Sequence, residues 1–292
     1  MKFDTSDFLV KPGSKVKLKE MDTRFSAGLN KKKGQKELVK NISELAEFQE
    51  KFWADNRYSL LIILQAPDAA GKDGAIRHVM TGLNPQSCRV HCYKVPSKEE
   101  LDHDYLWRHY KDLPERGMIE IFNRSHYENV LATKVNPQYL MAENIPGLDK
   151  PEKADKKFWN ERYEQINNFE KHIYQNGTHI LKFFLNLSKE EQKERLLARL
   201  NEPEKNWKFS SADLTARAQW DDYQKAYEEM MEKTSTEYAP WHVIPADKKF
   251  FARVAIGEII VEKLKSLDLR YPEGESAEDL QKAKAMLMSE KE

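Results

Sequence analysis

The stretch that decides the fold is Leu60-Leu61-Ile62-Ile63-Leu64-Gln65-Ala66-Pro67-Asp68-Ala69-Ala70-Gly71-Lys72-Asp73-Gly74. Five consecutive aliphatic residues mark a strand buried on both faces. Small residues follow, then Gly71-Lys72, and a helical pattern begins at Gly74. Strand, tight loop and helix in that order are the setting of a phosphate-binding loop. Small side chains let the backbone wrap an anion, N–H groups at the helix start donate to it, and a lysine neutralises its charge. Ala69, Ala70, Gly71, Lys72, Asp73 and Gly74 are therefore the candidate phosphate-binding residues. The match to G-x-x-x-x-G-K-[ST] is incomplete: Ala66 replaces the first glycine and Asp73 replaces the hydroxyl that would hold Mg²⁺. Asp68 is then the candidate magnesium ligand. The competing reading is a plain strand-to-helix turn with a surface lysine.

Working outward, 90–95, 118–122, 179–187 and 241–245 read as further strands. Helical patterns cover 41–56, 74–82, 98–111, 153–175, 189–200, 212–233 and 248–267. Strands alternating with helices predict an α/β fold, a parallel sheet of about five strands with helices on both faces. Such sheets bind ligands at the carboxyl ends of their strands, here after residues 65, 122 and 187. The expected division is a basic N-terminal arm (1–40), one domain built on the phosphate-binding loop (41–270) and a tail (271–292).

The chain has 292 residues, 40% of them hydrophobic and 33% charged, which excludes a disordered chain and supports a substantial core. No aliphatic run approaches the roughly 20 residues that span a bilayer, and Met1-Lys2-Phe3-Asp4-Thr5 shows no apolar signal core. A cytoplasmic location is expected, without membrane or nucleic-acid partners. Net charge is zero, yet residues 11–40 hold ten Lys/Arg against three Asp/Glu. Such a block is a solvated arm or a polyanion-binding arm. Cys88 and Cys92 lie about 13 Å apart along a strand, too far for a disulfide.

After the third strand comes Asn123-Arg124-Ser125-His126-Tyr127-Glu128-Asn129. Arg124 is placed to hold a phosphoryl oxygen. Asn123 stands where such sheets often carry an acid for Mg²⁺. Glu128 is a nucleotide or metal ligand, or half of a Ser125–Glu128 capping box. After the fourth strand, Arg195 and Arg199 share one helical face. They read as a lid over about 195–222 that brings guanidinium groups to a moving phosphoryl, or as surface arginines. Lys208, at the lid tip beside Trp207, is a further phosphate-binding candidate.

Taken with Trp241-His242-Val243-Ile244-Pro245-Ala246-Asp247 and the opening Val10-Lys11-Pro12-Gly13-Ser14, these segments resemble the polyphosphate kinase 2 family. The likeness is to the branch that phosphorylates both nucleoside mono- and diphosphates, and it covers nearly the whole chain. The resemblance implies a three-layer P-loop kinase-like fold with a helical lid. It also implies Mg²⁺-dependent transfer between inorganic polyphosphate and AMP, ADP and ATP, or their guanine equivalents, with Mn²⁺ as a substitute. It places Asp68, Lys72, Arg124, Arg195 and Arg199 in catalysis. Asn123, Arg124 and Glu128 fall at the nucleotide, and Asp68 and Glu128 at the metal. Asn129 departs from the branch, which is often acidic there. The apolar tail points to a homo-oligomer. Two rivals are an ATP-dependent nucleoside-monophosphate kinase and a non-catalytic polyanion-binding protein.

Overall fold

The computed structural model describes residues 3–290; the outermost two residues of the expected arm and of the expected tail lie outside the described residues. The apolar run becomes β1 (Ser59–Gln65), every residue of it buried. β2 (Cys88–Cys92), β3 (Ile119–Asn123), β4 (Thr178–Asn186) and β5 (Trp241–Pro245) join it in one sheet, ordered β2-β3-β1-β4-β5. All pairings are parallel, as the strand–helix alternation predicts. β1 sits at the centre between β3 and β4, so the chain runs to one side after β1 and crosses to the other after β3. That reversal opens a crevice at the carboxyl ends of the strands.

Helices cover both faces. On one side α1 (Lys31–Asp55) and α2 (Lys72–Val79) close a core of Leu60, Ile62, Leu64 and Phe183. The short α3 (Lys98–Leu101), α4 (Trp107–Tyr110) and α5 (Ala132–Val135) precede α6 (Lys156–Gln175), which covers Leu61, Ile63 and Phe184 on the other face. The stretch expected as a lid, about 195–222, falls on α7 (Lys189–Asn201), α8 (Ser211–Ala218) and the start of α9 (Trp220–Thr234). α10 (Lys249–Lys265) returns to the face of α1, and α11 (Ala277–Ser289) lies exposed along its whole length.

Three elements differ from expectation. α1 begins ten residues early: the Asn30 side chain accepts from the Lys33 N–H at 2.9 Å and caps it. Its first turn, Lys31-Lys32-Lys33, has no apolar residue, so periodicity could not reveal it. The pattern over 98–111 resolves into two short turns, α3 and α4. The pattern over 212–233 breaks at Gln219, between α8 and α9, with neither Gly nor Pro to mark it. The basic stretch before α1 is not a free arm: Phe8, Val10, Val16 and Leu18 are buried in the two cores. The Val10 N–H donates to Trp241 O at 2.8 Å, so this segment covers the open edge of β5. Both cysteines are free. No described helix is long and apolar enough to cross a membrane.

Candidate functional site

The loop after β1 makes its turn with two left-handed residues, Ala69 (φ +62°) and Gly71 (φ +105°). Glycine takes that conformation freely, whereas at Ala69 it stores roughly 1–3 kcal/mol of strain. Arg195, on α7, holds the loop from behind. Its Nη1 donates to Ala69 O at 3.1 Å and Ala70 O at 2.7 Å. Its Nη2 donates to Ala246 O at 2.7 Å and Asp247 O at 3.0 Å, and its Nε to Glu191 Oε1 at 2.9 Å. All five guanidinium donors are thus engaged. A trans peptide points its C=O and N–H in opposite directions, so the Ala70 carbonyl turned onto Arg195 leaves the Gly71 N–H on the far face of the loop. Lys72 opens α2 and is buried, its Nζ donating to Ala66 O at 3.1 Å. Burial, reinforced by repulsion from Arg124, lowers its pKa to about 8.

Beside the loop, the segment after β3 brings in a second cation. Arg124 also has a left-handed backbone (φ +63°). Its Nη2 donates to Asp68 Oδ1 at 2.6 Å and its Nη1 to Glu128 Oε1 at 3.4 Å. Glu128 first, and then Asp68, raises the guanidinium pKa further, so its charge is permanent. The Ser125–Glu128 capping box does not form. Ser125 Oγ accepts instead from the Tyr127 N–H at 3.3 Å, and Glu128 faces Arg124. The Gln65 amide, oriented to satisfy its neighbours, donates to Glu128 Oε1 at 3.0 Å. Asn123 lies one step aside, its Nδ2 donating to Asp73 Oδ1 at 2.8 Å.

The structure therefore gathers Asp68, Lys72, Arg124 and Glu128 at one place, with Asn123 and Asp73 adjoining. It does not bring in Arg199, which donates to Asp213 Oδ2 at 3.0 Å and Lys208 O at 3.2 Å within the lid. Lys208 lies over the ring of Trp207 at the exposed lid tip. Residues not assigned from sequence complete the cleft. Gln192 donates to the backbone carbonyl of Asp68 at 3.1 Å. Trp220, Tyr223 and Tyr227 of α9 line the wall facing Asp68, Arg124 and Glu128. Burial first, then the Glu128 and Asp68 charges, keep the Tyr227 hydroxyl protonated, and the same causes push Tyr223 up to about 12. The spacing of these three aromatics, on one helical face, was the available signal; it reads equally as core packing.

The loop's other flank is cationic. Arg253 Nη2 lies 3.5 Å from where a side chain on Gly74 would begin. Burial lowers the pKa of Lys249 and of Arg253, and the Arg195 charge lowers both further.

Asp68 and Glu128 offer hard oxygen donors on two sides of one guanidinium, the donor set that suits Mg²⁺. That ion is held by one or two carboxylates together with water and substrate phosphates. Among the described residues no group of three or more His, Cys, Asp or Glu could hold a metal without such additional ligands. The cleft's cavity is about 40 Å³, far below the ~300 Å³ of a typical ligand pocket. A larger surface cavity of about 520 Å³ lies between residues 7–25 and β5 and includes none of these charged residues.

The family model of polyphosphate kinase 2 matches residues 28–272. An ADP-polyphosphate phosphotransferase of Rhodopseudomonas palustris is 49% identical over 274 residues, covering 94% of each chain. An AMP/ADP-polyphosphate phosphotransferase of Meiothermus ruber is 41% identical over 276 residues, covering 93% of this chain and 97% of that one. The crystal structure of polyphosphate kinase 2 from Arthrobacter aurescens superposes with a TM-score of 0.86 at 40% identity, over 96% of this chain and 95% of the other.

Proposed function

From the chain's membership of the polyphosphate kinase 2 family, which the match over residues 28–272 establishes, we infer that it transfers phosphoryl groups between inorganic polyphosphate and nucleoside mono- and diphosphates, adenine or guanine. One observation carries the assignment to this site: the phosphate loop separates two unlike flanks. On one side Asp68, Arg124 and Glu128 face an aromatic wall, a setting for a nucleotide and its cation. On the other, Lys249 and Arg253 form a cationic surface. That surface suits a linear polyanion, which offers little besides charge to recognise.

In this reading Lys72 and the loop amides grip the phosphates flanking the scissile bond. Arg124 supports charge on the phosphoryl in transit, and Asp68 and Glu128 orient it. Arg195 shapes the loop from behind, and Arg199 and Lys208 travel with the lid. Asn123 holds Asp73 and borders the nucleotide phosphates. Asp68 and Glu128 would hold Mg²⁺, or Mn²⁺, which would neutralise the negative charge shared by donor and acceptor. No side chain need act as base, because a nucleotide phosphate oxygen is already anionic. Catalysis then consists of positioning and electrostatic stabilisation.

The exposed apolar residues of α11, Leu280, Met286, Leu287 and Met288, support self-association into a homo-oligomer. The cytoplasm is the proposed place of action. The test is a coupled assay for ATP formed from ADP, and separately from AMP, with long-chain polyphosphate and Mg²⁺ and no ATP supplied. Sustained ATP formation is expected. Turnover only when ATP is the donor would favour the ATP-dependent kinase, and binding without any turnover the non-catalytic reading.

A further inference from the structure

Beneath the segment that carries Arg124 and Glu128 lies a buried polar cluster that the proposed reaction does not use. Glu170 on α6, Lys182 on β4, His126 and Tyr127 are all fully buried. Lys182 Nζ donates to Glu170 Oε2 at 2.6 Å, Thr234 O at 2.7 Å and the Tyr127 hydroxyl at 2.8 Å. The Tyr127 hydroxyl donates in turn to Glu170 Oε1 at 2.6 Å, and His126 Nε2 lies 3.3 Å from that same oxygen. The ammonium thus spends all three protons and both carboxylate oxygens are occupied.

A buried ion pair is a poor source of stability, since apolar side chains of like volume serve as well or better. What this cluster supplies is direction. It ties β4, α6 and the end of α9 to two consecutive residues, His126 and Tyr127, which stand between Arg124 and Glu128. That segment needs an anchor. Arg124 is held at φ +63°, and the turn that follows, His126–Val130, is a single short 3₁₀ helix. A strained conformation persists only where its surroundings over-determine it.

We propose that Glu170 and Lys182 are positioning residues. Through Tyr127 and His126 they fix the segment 124–128 so that Arg124 and Glu128 face the reacting phosphates. The proposal rests on the reading of Arg124 and Glu128 given above, and the test separates the two. Three full-length variants are compared with the parent: Tyr127→Phe, the double replacement Glu170→Leu with Lys182→Met, and Arg124→Ala. For each, kcat and KM for ADP and for polyphosphate are measured well below its thermal midpoint, which is recorded separately.

Tyr127→Phe removes one hydroxyl and keeps the ring. It is expected to lower kcat about tenfold while the midpoint stays within a few degrees. The apolar double variant leaves the Tyr127 hydroxyl and the Thr234 carbonyl without these partners, so its midpoint is expected to fall by several degrees, and it is expected to lose about 10²-fold in kcat, the effect of an ångström-scale misplacement. A midpoint that falls in Tyr127→Phe while kcat stays at the parental value would assign the cluster a structural role and overturn the proposal. So would a folded double variant with full kcat. If the double variant does not fold, Tyr127→Phe alone decides. Parental activity in Arg124→Ala would instead remove the reading of the site on which the proposal stands.

Discussion

An ammonium buried in a protein interior is costly, and Lys72 carries that cost at the centre of the site. Its pKa of about 8 lies below the ordinary 10.5, first because burial disfavours the charge and then because Arg124 repels it. The sign of the consequence follows. Between about pH 8 and 10.5 the unfolded chain holds a proton on this lysine that the folded protein has lost. The stability of the unliganded protein should therefore rise with pH across that window, and this contribution should be absent below pH 8. Phosphate bound at the loop should do the opposite, holding the proton on, so phosphate affinity should weaken as pH climbs past 8. Replacing Lys72 by Met tests both. Activity should drop about 10²–10³-fold, in line with loss of a single preorganised donor. The thermal midpoint at pH 7 should hold or increase, and the rise in stability above pH 8 should vanish. A variant that keeps parental activity would remove Lys72 from the reaction. The sequence showed Lys72, Asp68 and Arg124 directly, because each follows a strand end within a few residues. It could not show that Asp68 and Glu128 share one guanidinium, a contact that joins residues 56 and 4 positions from Arg124.

Among the elements, the lid helix α7 depends on a residue far along the chain. Asp247, just past β5, accepts from the Ser188 N–H at 2.9 Å and the Ser188 hydroxyl at 2.8 Å, at the cap of α7. It also accepts from the Thr23 hydroxyl at 2.9 Å, while its own carbonyl accepts from Arg195. The carboxylate thus joins the N-terminal segment to the base of α7, and the same residue's backbone carbonyl meets the brace behind the loop. Asp247→Ala should leave the Ser188 N–H without an acceptor and cost about 1–3 kcal/mol. Amide hydrogen exchange should quicken across 188–192 while the centre of β1 keeps its protection. Unchanged exchange in α7 would show that Ser188 holds the helix alone. The sequence defined β1 closely, since a strand buried on both faces is written as an unbroken apolar run, and β5 by Trp241, Val243 and Ile244 around His242. It missed the first ten residues of α1, which are rich in lysine and include Gly34, and the break at Gln219. Both are set by a side-chain cap or by packing, and neither leaves a periodic trace.

At the scale of the whole molecule, a net charge of zero conceals a division of labour around the phosphate loop. Lysine and arginine were legible in the sequence as a basic block over residues 11–40, yet the cations on the loop's outer flank come from α10, some 200 residues later. Periodicity places α10 on the sheet but cannot state which of its polar residues turns toward α2. The fold does that: Arg253 Nη2 comes to within 3.5 Å of the position a Cβ on Gly74 would take, ordinary contact distance. Lys249 has Arg195, Lys205 and Arg253 among its charged neighbours, with Glu191 opposing them. Crowded cations of this kind repel one another until an anion arrives, so a polyanion gains more here than a single phosphate would. Neutralising the pair, Lys249→Gln with Arg253→Gln, should therefore raise KM for long-chain polyphosphate about tenfold or more and leave KM for ADP within about twofold. Because the binding is electrostatic, raising the salt from 0.05 to 0.3 M should raise the parent's KM for polyphosphate steeply, and the variant's much less. Equal shifts in both KM values would remove the assignment of this flank to polyphosphate, and a rise in KM for ADP alone would reverse the two flanks.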